Sequence, residues 1–166
     1  LRLLMAHGDE GMCDYRRQLD LNTGIVTVSY ELNGIIYQRE YFASHADGVL
    51  VMRISCNRQG GLGLRISIDG DEQPFSVTAE DDHTLRMDVL AREHFHSDGN
   101  CGVDGHARLL AIAEGGTIRS FGAQLMVEGS DAVVVLLTFE STFGKTSPAS
   151  TCCDRLDAAS AKSYAE

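Results

Sequence analysis

A chain of 166 residues with 14 basic and 24 acidic side chains, formal net charge -10, is long enough for one domain with a real core. The acidic balance argues against nucleic acid and against a membrane surface as partners, since phosphate binding needs clustered Lys and Arg. No apolar run approaches the roughly eighteen residues of a transmembrane helix.

Leu1 to Met5 reads as a short strand, and Leu1 to Ala6 lacks the long apolar core of a signal peptide. The chain opens inside strand-like sequence, which reads as a cut end; a longer precursor could still carry a signal peptide. His7 to Asp14 reads as a polar loop, and Tyr15 to Leu21 as the entry into a hairpin. After Asn22-Thr23-Gly24, the runs Ile25 to Leu32 and Ile35 to Ser44 flank Asn33-Gly34. Asn-Gly between two β-rich runs is a strong hairpin signal, because both central residues of a type I′ turn need positive φ. In the second run Ile35, Tyr37, Arg39 and Tyr41 share one face, and Ile36, Gln38, Glu40 and Phe42 the other. Neither face is purely apolar, which suits a sheet covered in part on both sides.

Val49 to Cys56 reads as a mostly buried strand. Leu62, Leu64, Ile66 and Ile68 alternate with polar residues, the period of a half-buried strand. Phe75 to Ala79 and Thr84 to Ala91 flank the acidic turn Glu80-Asp81-Asp82. Arg92 to Gly105 is the least strand-like stretch. His106 to Ala113 and Thr117 to Val127 flank Gly115-Gly116 and read as a second hairpin. Ala132 to Phe139, the most apolar run, predicts a central strand. Gly144 to Ser150 reads as a loop. From Cys152 the period changes, and Leu156, Ala159 and Tyr164 fall on one side of a helix capped by Asp154 or Ser150. About ten short strands and one terminal helix predict an all-β antiparallel sandwich.

Five cysteines, an odd number, cannot all pair internally. The adjacent Cys152 and Cys153 would form a strained bridge, and Cys56 reads as a small core residue. His94, His96, Asp98, Cys101 and His106 cluster, and His-x-His places two rings on one side of a strand. No paired Cys-x-x-Cys or His-Glu-x-x-His accompanies them, so a solvated loop is the plainer reading. Asp69, Asp71, Glu72, Glu80, Asp81 and Asp82 are candidates for an acid/base pair, weighed against solvated turns. Ser141, Thr142 and Ser147 offer hydroxyls without a Gly-x-Ser-x-Gly elbow. Gly60-Gly61-Leu62-Gly63 precedes no helix, and Lys145 lacks the Walker spacing, so no phosphate loop is read. Five tyrosines, six phenylalanines and no Trp are few for a sugar-binding platform.

The runs Asp14-Tyr15-Arg16-Arg17-Gln18-Leu19-Asp20-Leu21-Asn22-Thr23-Gly24 and Ile36-Tyr37-Gln38-Arg39-Glu40-Tyr41-Phe42-Ala43-Ser44 carry a resemblance. With Val28-Ser29-Tyr30, Asp47-Gly48-Val49-Leu50-Val51, Val127-Glu128-Gly129-Ser130-Asp131-Ala132 and Thr142-Phe143, they resemble the N-terminal β-sandwich domain of glycoside hydrolase family 95, the inverting α-L-fucosidases and related α-L-galactosidases. The resemblance implies a super-β-sandwich over residues 1–150, incomplete at its N-terminus, and a helical linker over 151–166 toward an (α/α)6 catalytic domain beyond Glu166. It implies that the catalytic acid, and the Asp and Asn residues that activate water, lie in that domain. No catalytic residue, metal site or cofactor is assigned to this chain, and its substrate-binding residues are left open. The implied partners are the (α/α)6 domain in cis and a fucosylated glycan in the parent protein, in an extracellular or periplasmic setting. Arg92 to Gly105 becomes a variable loop, and Arg16, Arg17 and Asp20 are expected to pair within the sandwich. The alternative is a free-standing β sandwich that binds carbohydrate or protein without catalysis.

Overall fold

The structure, a computed structural model, describes residues 1–70, 73–93, 102–143 and 147–165. Its strands are β1 (Arg2–Met5), β2 (Cys13–Asp20), β3 (Ile25–Leu32), β4 (Ile35–Ser44), β5 (Val49–Cys56), β6 (Leu62–Ser67), β7 (Phe75–Ala79), β8 (Thr84–Leu90), β9 (Asp104–Glu114), β10 (Thr117–Phe121), β11 (Gln124–Ser130) and β12 (Ala132–Ser141). One helix, α1 (Pro148–Ser160), follows. The strands form an antiparallel sandwich of an eight-stranded sheet, β2-β3-β4-β5-β12-β9-β8-β7, and a four-stranded sheet, β1-β6-β11-β10.

The all-β expectation holds, with strands more numerous than the sequence reading. Two differences account for the rise. Tyr15 to Asp20 is not an entry segment but most of β2, which pairs with β3 along its length. The run 117–127 is not one strand: it folds back at Gly122 (φ 60°) into β10 and β11. Gly115-Gly116 is not a hairpin turn either. It carries the chain from β9, paired with β8 and β12, into β10 on the opposite sheet. Gly116 is required there: φ is 67° and a Cβ would lie 2.4 Å from the Glu128 carbonyl oxygen.

The Asn33-Gly34 hairpin forms as expected, with φ of 53° and 77°. β12 lies between β5 and β9, central as its composition predicts. The interior is lined by Ile54, Leu85, Leu109, Val133 and Val135 from the large sheet and by Leu62, Leu64, Ile66, Leu125 and Val127 from the small one, all buried. Alternation puts one face of each strand there, and burial of those aliphatic chains is the main stabilising term.

The outer face of the large sheet is apolar along Val49, Val51 and Leu136, and α1 lies on it through Leu156 and Ala159. The helix begins at Pro148, four residues before the expected start, with Ser147 at the N-cap position and Pro at the first turn, where a missing N–H costs nothing. Neither Asp154 nor Ser150 caps it; both lie within the helix. After α1 the chain stays on the sheet. Tyr164 packs on Phe42, donates its hydroxyl hydrogen to Glu40 at 3.0 Å, and lies under the Arg53 guanidinium, 5.5 Å from the ring centre. No helix among the described residues is long and apolar enough to cross a membrane.

Candidate functional site

The acidic candidates among the described residues make contacts within the sandwich. Glu80 accepts from Nε of Arg108 at 2.8 Å and pairs with Arg86. Asp81 closes the β7–β8 turn, accepting the His83 N–H at 2.7 Å and the Thr84 hydroxyl at 3.2 Å. Asp82 reaches the other sheet, accepting the Ser120 N–H and hydroxyl at 3.0 and 2.9 Å. Those two bonds hold the Asp82 carboxyl below the usual range. Asp69 pairs with Arg2. Asp71 and Glu72 lie outside the described residues. So the described carboxylates of this group tie turns and strands together and do not face each other across a cleft.

His94, His96, Asp98 and Cys101 also lie outside the described residues, as does Lys145. His106 stands apart from any loop: it is buried in β9, with Nδ1 2.8 Å from Oδ1 of Asp88. Its carbonyl accepts from the thiol of Cys152 at 3.4 Å, beneath α1. Among the described residues no group of three or more His, Cys, Asp or Glu side chains is arranged to hold a metal. Cys13, Cys56, Cys152 and Cys153 are free thiols. Cys56 is half-buried rather than fully buried. Burial pushes the Cys152 thiol up, whereas Cys153 faces the Arg108 guanidinium.

Thr142 Oγ1 accepts the Asp104 N–H at 2.9 Å, and Ser147 Oγ accepts the Ser150 hydroxyl at 2.8 Å. Gly60 and Gly61 form a turn, held by Gly60 N–H to Asp131 at 2.6 Å and Gly61 N–H to the Arg58 carbonyl at 3.0 Å, and a strand follows.

What the sequence reading missed is where the tyrosines go. Opposite residues in antiparallel strands share a face. Tyr30 lies opposite Tyr37, and Tyr41 opposite Val26 and Met52, so all three tyrosines face the interior side of the sheet. Arg39 lies opposite Val28 and Ile54, and Val28 opposite Arg17, which puts both arginines on that side too. The Tyr30 and Tyr37 rings stack with centres 5.2 Å apart. His7 lies against both rings, with Nε2 2.9 Å from the Tyr30 hydroxyl oxygen. Burial outweighs the Arg39 contacts and pushes the Tyr30 hydroxyl up.

Among the described strands β1 forms one edge of the small sheet, and the inner face at the β2–β4 end carries an opening. The opening is a cleft of about 680 Å³ lined by Asp9, Tyr15, Arg17, Tyr30, Arg39 and Tyr41 among others. Arg16 and Arg17 do not pair within the sandwich: both are exposed on β2, with no ion pair among the described residues. Asp20 does act locally, accepting the Asn22 N–H at 2.8 Å to close the β2–β3 turn.

The two sheets and the helix laid on the larger one define an antiparallel β-sandwich domain. Over residues 1–146 the chain matches the description "Glycosyl hydrolase family 65, N-terminal domain", and it belongs to that family. It is therefore an N-terminal domain of a glycoside hydrolase. It is similar to Alpha-L-fucosidase 2 of Arabidopsis thaliana, 27% identical over 97% of this chain and 22% of that protein. Its fold is also similar to a chain from the human microbiome provisionally named as a kojibiose phosphorylase. The TM-score is 0.69 at 12% identity, covering 99% of this chain and 25% of that one. The chain thus spans between a fifth and a quarter of the relatives it matches.

Proposed function

We propose that this chain is the non-catalytic N-terminal β sandwich of an α-L-fucosidase-type glycoside hydrolase. The parent protein would remove terminal α-L-fucosyl or α-L-galactosyl units. The observation that carries this reading is the likeness of 97% of the chain to Alpha-L-fucosidase 2, together with the engagement of the described candidate carboxylates in turns and ties. The reaction needs one carboxylic acid to protonate the glycosidic oxygen and one carboxylate to activate water on the opposite face. On this reading both belong to an (α/α)6 domain following the sandwich, and α1 is the start of the connection. The sandwich then supports that domain in cis, and a fucosylated glycan is the parent's substrate.

The test is hydrolysis of a nitrophenyl α-L-fucoside by residues 1–166 and by a chain extended past Glu166. Turnover by the extended chain alone is expected. Turnover by residues 1–166 would overturn the non-catalytic role. Inactivity of both would favour a free-standing carbohydrate- or protein-binding sandwich, a reading that the tyrosine- and arginine-lined cleft supports.

A further inference from the structure

Arg39 and Arg17 bring two positive charges to one cleft, and no carboxylate pairs with either among the described residues. Arg39 is half-buried. Its guanidinium meets only the neutral hydroxyls of Tyr30, 3.4 Å from Nη2, and Tyr41, and its Nε is buried without a partner. A guanidinium withdrawn from water loses hydration that an opposing charge normally offsets. Carboxylates are not scarce in a chain of net charge -10, yet among the described residues Asp9 alone of them lines the cleft, and it makes no ion pair there. Arg17 and Arg39 are separated by β3, so their backbones stand roughly 10 Å apart at about 4.8 Å per strand. Two long side chains from those positions can converge on one anionic group, and planar guanidinium forks suit a carboxylate.

We propose that this cleft binds a carboxylate-bearing saccharide, a uronic acid unit of a glycan, with Arg39 and Arg17 holding the carboxylate. Three further features fit a sugar acid better than a bare anion. The exposed Asp9 carboxylate repels an isolated anion but accepts hydrogen bonds from sugar hydroxyls. Tyr15, 60% exposed, and Tyr41 line the cleft, and aromatic rings with a polar rim suit the apolar face and hydroxyls of a pyranose. A cleft of about 680 Å³ lies within the range of small-ligand sites. The saccharide half of the proposal rests on the glycoside hydrolase reading; the arginine half rests on the geometry alone.

The chain reports on this site by itself. It has no Trp, and four of its five tyrosines, Tyr15, Tyr30, Tyr37 and Tyr41, line or adjoin the cleft. Tyrosine fluorescence is therefore titrated with a galacturonic acid trisaccharide, the matching neutral galactose trisaccharide, and acetate. Saturable binding of the acidic trisaccharide is expected, at least about tenfold tighter than either of the others, and weakening with salt. Arg39→Gln weakens it by about tenfold or more, the scale of one charged hydrogen-bonding partner. Arg17→Gln and Tyr15→Ala, at exposed positions that leave folding intact, each weaken it by about threefold. Equal binding of neutral and acidic sugars, or indifference to Arg17→Gln and Tyr15→Ala, would overturn the proposal. Acetate bound as tightly as the trisaccharide would overturn its saccharide half. Binding that vanishes in a chain extended at its N-terminus would overturn the whole proposal, because a strand on this face would then be the arginines' partner. The titration reads no hydrolysis, so failure of the fucoside assay leaves its outcome unaffected.

Discussion

The eight-stranded sheet differs between its centre and its β2 edge. At the centre, β5, β12 and β9 are covered on both faces, by the small sheet within and by α1 without. Ile54, Leu109, Val133 and Val135 fill the inner side of these strands, and Val49, Val51 and Leu136 meet α1 on the outer side. At the edge, β2 is exposed along its whole length, and β3 and β4 turn tyrosines and arginines toward a cleft. The same backbone ladder thus serves two ends: a dry one that sets stability, and a wet one free to vary in chemistry. Substitutions at the two ends should separate cleanly.

The largest effect is expected at the centre. Leu109 is fully buried and packs between the sheets. Leu109→Ala should cost about 2–5 kcal/mol, the transfer loss plus the cavity. Leu19, on β2 and 55% exposed, has no such cavity to leave. Leu19→Ala should change stability by less than about 0.5 kcal/mol. Urea denaturation of both variants checks this, and equal losses would erase the distinction between centre and edge.

A smaller effect is expected at the outer layer. Leu156 is the main apolar anchor of α1, and Cys152 beside it is wholly buried beneath the helix. Leu156→Ala should cost about 2–3 kcal/mol, the low end of core truncations, because the helix has solvent on its far side. It should also raise the rate at which a thiol reagent modifies Cys152 by tenfold or more, through local opening of α1. A change in stability with no change in Cys152 protection would mean that α1 opens only with the whole sandwich.

The two ends were unequally legible in the sequence. The β3–β4 hairpin could be placed to the residue because Asn33-Gly34 has one favoured conformation, and β12 could be placed at the centre, though it runs to Ser141 rather than Phe139, because a run of aliphatics has one home. β2 was not legible, because a doubly exposed edge strand carries no alternation of burial. Gly115-Gly116 resembled a hairpin turn because glycine reports a positive φ without saying which strand follows. The cleft was the hardest to see. Tyr15, Tyr30, Tyr37 and Tyr41 are spread along three strands, and only cross-strand register brings them together.

The acidic turn between β7 and β8 should show in the acid limb. Burial works against the charge of Asp81, but the His83 N–H and the Thr84 hydroxyl outweigh it and hold its carboxyl below the ordinary value. A carboxyl with a depressed folded pKa stabilises fully above its unfolded value of about 3.9, and that stability is lost as pH falls through the folded pKa. Asp81→Asn should therefore lower stability at pH 7 and flatten its decline below about pH 4. Denaturation midpoints at pH 7 and pH 3 test this, and an unchanged acid slope would remove Asp81 from the account.

The smallest effect lies where the chain leaves α1. Burial and the Glu40 carboxylate push the Tyr164 hydroxyl up to about 12. The folded pKa thus lies above the unfolded value of about 10. The hydroxyl's contribution is present in full below pH 10 and is lost as pH rises toward 12. Tyr164→Phe keeps the contact with Phe42 and removes only the bond to Glu40. The ring is partly exposed, so the loss at pH 7 should be small, about 0.5 kcal/mol after solvent screening. The sharper readout is the alkaline limb: wild type should lose stability relative to Tyr164→Phe between about pH 10 and 12. Parallel alkaline profiles would mean that the segment after α1 is held by its rings and by the Lys162–Asp47 pair rather than by the Glu40 bond.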